Sequence, residues 1–430
     1  MEMYDRAARL FPGKTQLRSR LARGFAEGVS PVYARSAKGS RFVDVDGNEY
    51  IDWVSAFGAI ILGHADDTVD NAVKEQIDRG SIYTVNGPLE IELAEELVVT
   101  IPSAEMVRYT RAGGEACALA VRIARTATGR NKVLFSGYHG WHDWYQAAQY
   151  ESDPKLASGV EPVGVPRALA GTSIPFAEGD LDTLRKLLDD HAGDVAAIMM
   201  EPLRSTVPEE GYLETVKELA HTHGTVLIFD EVSCGWRIAL GGAQEYLGVT
   251  PDMTVVAKAM SNGYPMGAVV GSRESMEPGA EAFISSSYWS DNIGLAASLT
   301  TIRELRRRDS AVGFKELGEK LIMAMNDAID SVGIAARFTG LHTNPTLAID
   351  TPDETVAAQA KTLFIQEMAR RDVHCNMTFK GTLAHTDEDI KLTADAAAES
   401  LAVVMKGLEG GMDDLLVANL QQEAFRRIVR

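Results

Sequence analysis

Residues 225–232 read TVLIFDEV and residues 255–271 read VVAKAMSNGYPMGAVVG. Each stretch contains a short apolar run rich in β-branched residues, the pattern of a strand buried on both faces. Asp230 closes the first run, and Lys258 follows the second 28 positions later. Taken alone, a lysine after a strand is a solvated surface residue and an aspartate there is a turn acid. Together they suit one chemistry. A lysine amine can condense with an aldehyde, and a carboxylate beside a pyridine nitrogen keeps that nitrogen protonated, so the ring can accept carbanion electrons. Lysine, unlike arginine, can also become a neutral amine and carry a proton. These are the requirements of pyridoxal 5′-phosphate (PLP) catalysis.

Outward from this pair, other apolar runs alternate with helical patterns: MVRYT (106–110), KVLFS (132–136) and VAAIMM (195–200). That alternation indicates an α/β unit with a mostly parallel sheet, in which ligands sit at the carboxyl ends of strands. The stretch YTRAGGEACALAVRIAR (109–125) runs from a strand through Gly113-Gly114 into a helix expected to open at Glu115. Small residues let backbone close on a phosphate, and free N–H groups at a helix start point at it. The pattern is neither GxGxxG nor a P-loop, and FPGKT (11–15) fails as one because Ala8 stands where the first glycine is needed. In KVLFSGYHGWHDW (132–144), Tyr138 is placed to lie against a flat cofactor. His139 and His142 form an HxxH pair without a nearby third ligand, so no metal is expected.

Lys and Arg total 42 against 61 Asp and Glu, a net charge of −19, which argues against a duplex nucleic-acid binder. The three cysteines, Cys117, Cys234 and Cys375, form no CxxC pair. The N-terminus does not read as a signal peptide, and the apolar stretch Val54 to Leu62 is too short to span a bilayer. A soluble, cytoplasmic protein without a membrane or nucleic-acid partner is expected.

The ordered motifs Gly-Gly-Glu-Ala, Tyr-His-Gly, Met-Glu-Pro (Glu201), Phe-Asp-Glu-Val and strand-Lys resemble those of class III aminotransferases of PLP fold type I. DVDGNEYIDW (44–53) and LGHAD (62–66) also match, so the likeness covers nearly the whole chain. Within the family the chain is most similar to glutamate-1-semialdehyde aminomutase and to related sugar-pathway aminotransferases. The resemblance implies backbone N–H groups of Gly113 and Gly114 on the phosphate, with Tyr138 and Val232 on opposite faces of the ring. It further implies Asp230 at the pyridine nitrogen, Lys258 as the internal aldimine lysine, and Glu201 in the network near the ring oxygen. A partner subunit usually closes the phosphate cup. The matching stretch FISSSYWSDN (283–292) offers Ser287 or Tyr288, with Ser287 the better chemical substitute, which implies a homodimer with shared sites.

Two departures stand out. Where the aminomutase pattern reads Asn-Ser-Gly-Thr-Glu-Ala, this chain has Arg111-Ala112-Gly113-Gly114-Glu115-Ala116, and SSSYWSDN replaces Gly-Thr-Leu-Ser-Gly-Asn-Pro. Residues 374–385, HCNMTFKGTLAH, lack the arginine with which many relatives grip a substrate carboxylate; Lys380 is the available cation there.

The expected organisation is an N-terminal segment (1–50) joining a smaller α+β domain (301–430), around a large PLP-binding domain (51–300). The strands expected in the C-terminal part include Pro345 to Ile349 and Val373 to Phe379. The expected activity is amino transfer from an amino-acid donor, glutamate first, to an aldehyde or ketone such as a sugar or sugar acid. The alternatives are an aminomutase-like isomerase using the same residues, and a non-catalytic PLP-fold binding protein.

Overall fold

The apolar runs that end in Asp230 and before Lys258 lie side by side in one sheet. The computed structural model describes residues 1–153 and 155–422. One unit comprises Asp67–Ala311 and holds a seven-stranded sheet. Its spatial order is Met106–Thr110, Gly267–Gly271, Met253–Ala257, Val226–Asp230, Val195–Met200, Lys132–Ser136 and Ser173–Pro175. Gly267–Gly271 runs antiparallel to both neighbours, and the other pairings are parallel.

The continuous apolar runs are explained by this position. Every residue of Val195–Met200, Val226–Asp230 and Met253–Ala257 is buried. Successive side chains point to opposite faces, so Phe135, Met199, Ile228 and Val255 join one core with the helix Gly113–Thr128. Leu134, Ile198, Leu227 and Phe229 join a second core with Leu184, Val216 and Ala220 of the helices Leu181–Asp190 and Tyr212–Thr222. A mostly parallel sheet covered on both faces is an α/β arrangement.

The other unit combines Met1–Asp66 with residues 312–422. Its hairpin pairs Arg41–Asp44 with Glu49–Asp52. Asp44 Oδ1 accepts from the N–H groups of Asp46 and Asn48, both at 2.9 Å, while Gly47 takes the positive φ of 98° that closes the turn. Trp53, Phe338, Phe364 and Phe379 are fully buried in its core, with the helices Glu354–Ala369 and Asp387–Gly410. The expected strand Val373 to Phe379 is shorter than its apolar pattern suggests. Only Val373–His374 pairs in the sheet, beside Ile51 and Asp52. Asn376 Oδ1 then accepts from Thr378 N–H at 2.8 Å, a local turn that diverts the backbone. Among the described residues no helix is long and apolar enough to cross a membrane.

Candidate active site

The strands Met106–Thr110, Lys132–Ser136, Val195–Met200, Val226–Asp230 and Met253–Ala257 lead, at their carboxyl ends, into the candidate residues. Thr110 is followed by the glycine loop, Ser136 by Gly137-Tyr138, Met200 by Glu201, and Ala257 by Lys258; Asp230 is itself a strand terminus. This edge of a mostly parallel sheet is where a ligand is expected.

Asp230 is 3% exposed, so its carboxylate must be satisfied by protein donors or a ligand. Oδ2 accepts from His139 Nδ1–H at 2.8 Å and from the Cys117 thiol at 3.4 Å, while Oδ1 accepts from Val232 N–H at 3.0 Å. His139 is also fully buried, with Nε2 3.2 Å from the Ser136 carbonyl. Burial, then the neighbouring Asp230 charge, push the Cys117 thiol well up, so it stands as a neutral S–H donor. A carboxylate oxygen has two lone-pair sites. Oδ2 has both engaged, whereas Oδ1 keeps one for a further donor. The sulfur, nitrogen and carboxylate atoms of these three residues lie within 4.8 Å of one another, a set that matches metal-ligand types but is already joined by hydrogen bonds.

Lys258 lies one residue beyond its strand, with a positive φ of 48° rare for a non-glycine residue. Its Nζ donates to Ser233 Oγ at 2.7 Å. Next to Asp230, Glu231 is also buried. Its carboxylate accepts from the Ala243 and Gln244 N–H groups and from the Gln244 side chain, while burial pushes it up to about 7. It anchors the end of the same strand.

The glycine helix begins earlier than its sequence suggests. It spans Gly113–Thr128 behind the N-cap Ala112, so both glycines lie in the first turn, where N–H groups lack intrahelical partners. Gly113 is required by space: a Cβ there would stand 2.9 Å from Val232 Cγ1. Tyr138 is partly buried, its ring edge-on to Tyr145 with centroids 5.7 Å apart. Glu201 Oε2 accepts from Tyr138 N–H at 3.1 Å and pairs with Arg204 Nε at 3.2 Å, so Glu201 tethers the loop that carries the tyrosine.

Ser287 and Tyr288 stand apart. Both are exposed, and among the described residues neither hydroxyl hydrogen-bonds to the Asp230–Lys258 cluster. Their loop is clasped from below: Arg111 Nε donates to the Tyr288 carbonyl, Arg111 Nη2 to the Asp291 carbonyl at 3.0 Å, and Trp289 Nε1 to Glu115 Oε1 at 2.9 Å. Sequence reasoning missed four participants: His139, Cys117, Ser233 and Arg204. His139 is adjacent to Tyr138 and Cys117 lies one helical turn beyond Gly113, so both signals were present. Nothing in the spacing singles out Ser233 or Arg204.

These residues fit PLP. A buried carboxylate retains one lone pair beyond its protein donors, a lysine directly follows the neighbouring strand, and two glycines open a helix, the first of them closed against Val232. A sequence model of the class-III aminotransferases matches residues 25–368. The 3-aminobutyryl-CoA aminotransferase of Cloacimonas acidaminovorans is 34% identical, over 95% of this chain and 98% of its own length. A glutamate-1-semialdehyde 2,1-aminomutase of Desulforamulus reducens is 32% identical, over 94% of this chain and 98% of its own. The solved structure of a transaminase with PLP bound superposes with a TM-score of 0.85 at 26% identity, covering 95% of this chain and 98% of that one. The chain thus belongs to the class-III aminotransferases and is a PLP-dependent enzyme of fold type I.

Proposed function

We propose that this chain moves an amino group from an amino-acid donor, glutamate first, to an aldehyde or ketone, with a sugar or sugar acid as the acceptor class. The observation that carries the amino-transfer chemistry is the buried Asp230 carboxylate, with Oδ1 still able to accept, at the end of a strand whose neighbour leads directly into Lys258. When bound, PLP supplies an aldehyde that takes the amino group and a ring that accepts the electron pair left when the Cα proton departs. Asp230 Oδ1 holds the proton on the pyridine nitrogen. Lys258 holds the cofactor and then moves the substrate Cα proton on Nζ, with Ser233 Oγ orienting that amine. Gly113 and Gly114 bind the phosphate through their N–H groups. Tyr138 and Val232 would orient the ring, and Glu201 would fix the loop that carries Tyr138.

The acceptor class rests on the missing arginine in residues 374–385. An acyl-CoA acceptor is the alternative suggested by the relative named 3-aminobutyryl-CoA aminotransferase. An intramolecular shift is suggested by the relative named aminomutase. A donor and acceptor panel, followed by the PLP absorbance change, separates them. Glutamate should convert the bound cofactor to its amino form, and a keto-sugar should restore it. Restoration only by an acyl-CoA ketone would replace the acceptor, and turnover without any external acceptor would establish the isomerase.

The active unit is read as a homodimer in which the exposed Ser287–Tyr288 loop reaches the neighbour's phosphate. Support comes from large apolar side chains left in solvent on the same unit, among them Val85 at 77%, Val99 at 79% and Phe283 at 87% exposure.

A further inference from the structure

Both ring nitrogens of His139 face oxygens of acceptor groups. Nδ1 lies 2.8 Å from Asp230 Oδ2, and Nε2 lies 3.2 Å from the Ser136 carbonyl. That carbonyl also accepts from Glu201 N–H at 3.2 Å, which fills its second lone pair. The imidazole has no exposed surface, so each nitrogen must be satisfied by the protein. A ring turned over would set C–H groups against both oxygens and leave both nitrogens unpaired, so its orientation is fixed.

A neutral imidazole has one N–H and one lone pair. Here that lone pair would point at a second acceptor. Two arrangements avoid this: an imidazolium beside a carboxylate, or a neutral imidazole beside a carboxylic acid. Chemistry favours the first. In water, imidazole binds a proton roughly several hundredfold more tightly than an aspartate carboxylate. Asp230 also accepts from Val232 N–H at 3.0 Å and from the Cys117 thiol at 3.4 Å, and donors aimed at a carboxylate favour its charged form. Around the imidazole stand the rings of Phe135 and Tyr145, each with its centroid 5.9 Å away, and of Trp144 at 6.3 Å. Burial pushes the Tyr145 hydroxyl up, so it stays neutral and donates to the Gly137 carbonyl at 3.1 Å. These rings leave the pair unscreened by solvent, which strengthens the attraction between its charges.

We propose that His139 is an imidazolium and a positioning residue, its Nδ1–H fixing the Asp230 carboxylate through Oδ2 so that Oδ1 is kept for the pyridine N–H of the cofactor. The proposal rests on the reading of Asp230 as the partner of that nitrogen. A cation behind the carboxylate makes it a weaker base, so the proton stays on the pyridine nitrogen instead of moving to Asp230. The effect is electrostatic, and the imidazolium gives up neither of its protons.

The charge is tested by nitrogen NMR of the full-length protein carrying isotope-labelled histidine, first stripped of PLP and then reloaded. The His139 signals are those lost in His139→Gln. Both ring nitrogens should carry a proton at neutral pH in both states, and one unprotonated nitrogen in either state overturns the proposal. If His139→Gln does not fold, neutron diffraction from deuterated crystals locates the same two protons without a variant. PLP labelled at its ring nitrogen reads the consequence. That nitrogen should be protonated in the unsubstituted protein and lose proton occupancy in His139→Gln, with a half-reaction about tenfold slower. An unchanged ring nitrogen in His139→Gln overturns the positioning role. An unchanged ring nitrogen in Asp230→Asn overturns instead the reading of Asp230 on which that role rests.

Discussion

Ser233 Oγ accepts a hydrogen bond from Lys258 Nζ at 2.7 Å, joining the loop after one strand to the residue after its neighbour. The lysine is thereby held by its backbone, at a φ of 48°, and by its amine. Ser233→Ala removes one of these restraints without touching the charge of the site. A single hydrogen bond contributes about 1 kcal/mol, so proton transfer should slow about threefold to tenfold while the cofactor still attaches. Single-turnover rates with a saturating amino donor check this; unchanged rates would make Ser233 a bystander.

Asp230→Asn keeps size and some hydrogen bonding but removes the charge that holds the pyridine proton. A loss of about 3–4 kcal/mol in the transition state corresponds to a roughly hundred- to thousandfold slower half-reaction. The variant should still bind PLP, because attachment needs only Lys258. Stopped-flow comparison of the two proteins, both saturated with cofactor, is the measurement. Equal rates would reduce Asp230 to a structural acid.

In the other unit, His385 gives the stability a pH dependence. Its Nδ1 accepts from Thr382 N–H at 3.0 Å, and the ring lies 4.1 Å from that of Trp53. Burial lowers it from 6.5 to about 4. The unfolded chain therefore takes up the proton first, so the stabilising contribution is full above about pH 6.5. It is lost as pH falls toward 4, an effect on the order of 3 kcal/mol. Asp52 and Asp389 are held below their ordinary carboxylate value, so their contributions fade only at still lower pH. Urea unfolding at pH 7.5 and 4.5 should show the loss, and His385→Gln should reduce it, leaving the smaller part carried by His342 and His374, which burial also lowers. An unchanged slope in the variant contradicts the assignment.

The exposed apolar side chains Val85, Val99 and Phe283 are expected to be covered by a second copy. Sedimentation at assay concentrations should give a dimer, and Val85→Glu combined with Val99→Glu should shift it toward monomer with a loss of activity. A fully active monomer would remove the shared-site reading of Ser287 and Tyr288.

Much of the sheet was legible because its strands are buried on both faces, and continuous runs such as VAAIMM and VLIFD have few other structural uses. The helix at Gly113 was read two residues late because glycine is a poor helix former. Its helical start depends on the space beside Val232, which spacing along the chain does not reveal. Val373 to Phe379 was read too long, since buried side chains such as Cys375 and Phe379 mimic a strand while Asn376 turns the backbone. His139 was weighed only as a metal ligand, and its pairing with Asp230 is a contact across 91 residues that motif spacing does not encode.

The central claim is that Lys258 carries the cofactor. Reducing the PLP-loaded protein with borohydride, digesting it and sequencing the labelled peptide by mass spectrometry tests this most directly. The expected result is a single pyridoxyl group on the lysine of the peptide containing VVAKAMSNGYPMG, residues 255–267, and no label in Lys258→Ala. A label on any other lysine, or a bound cofactor that borohydride does not fix to the chain, would contradict the account.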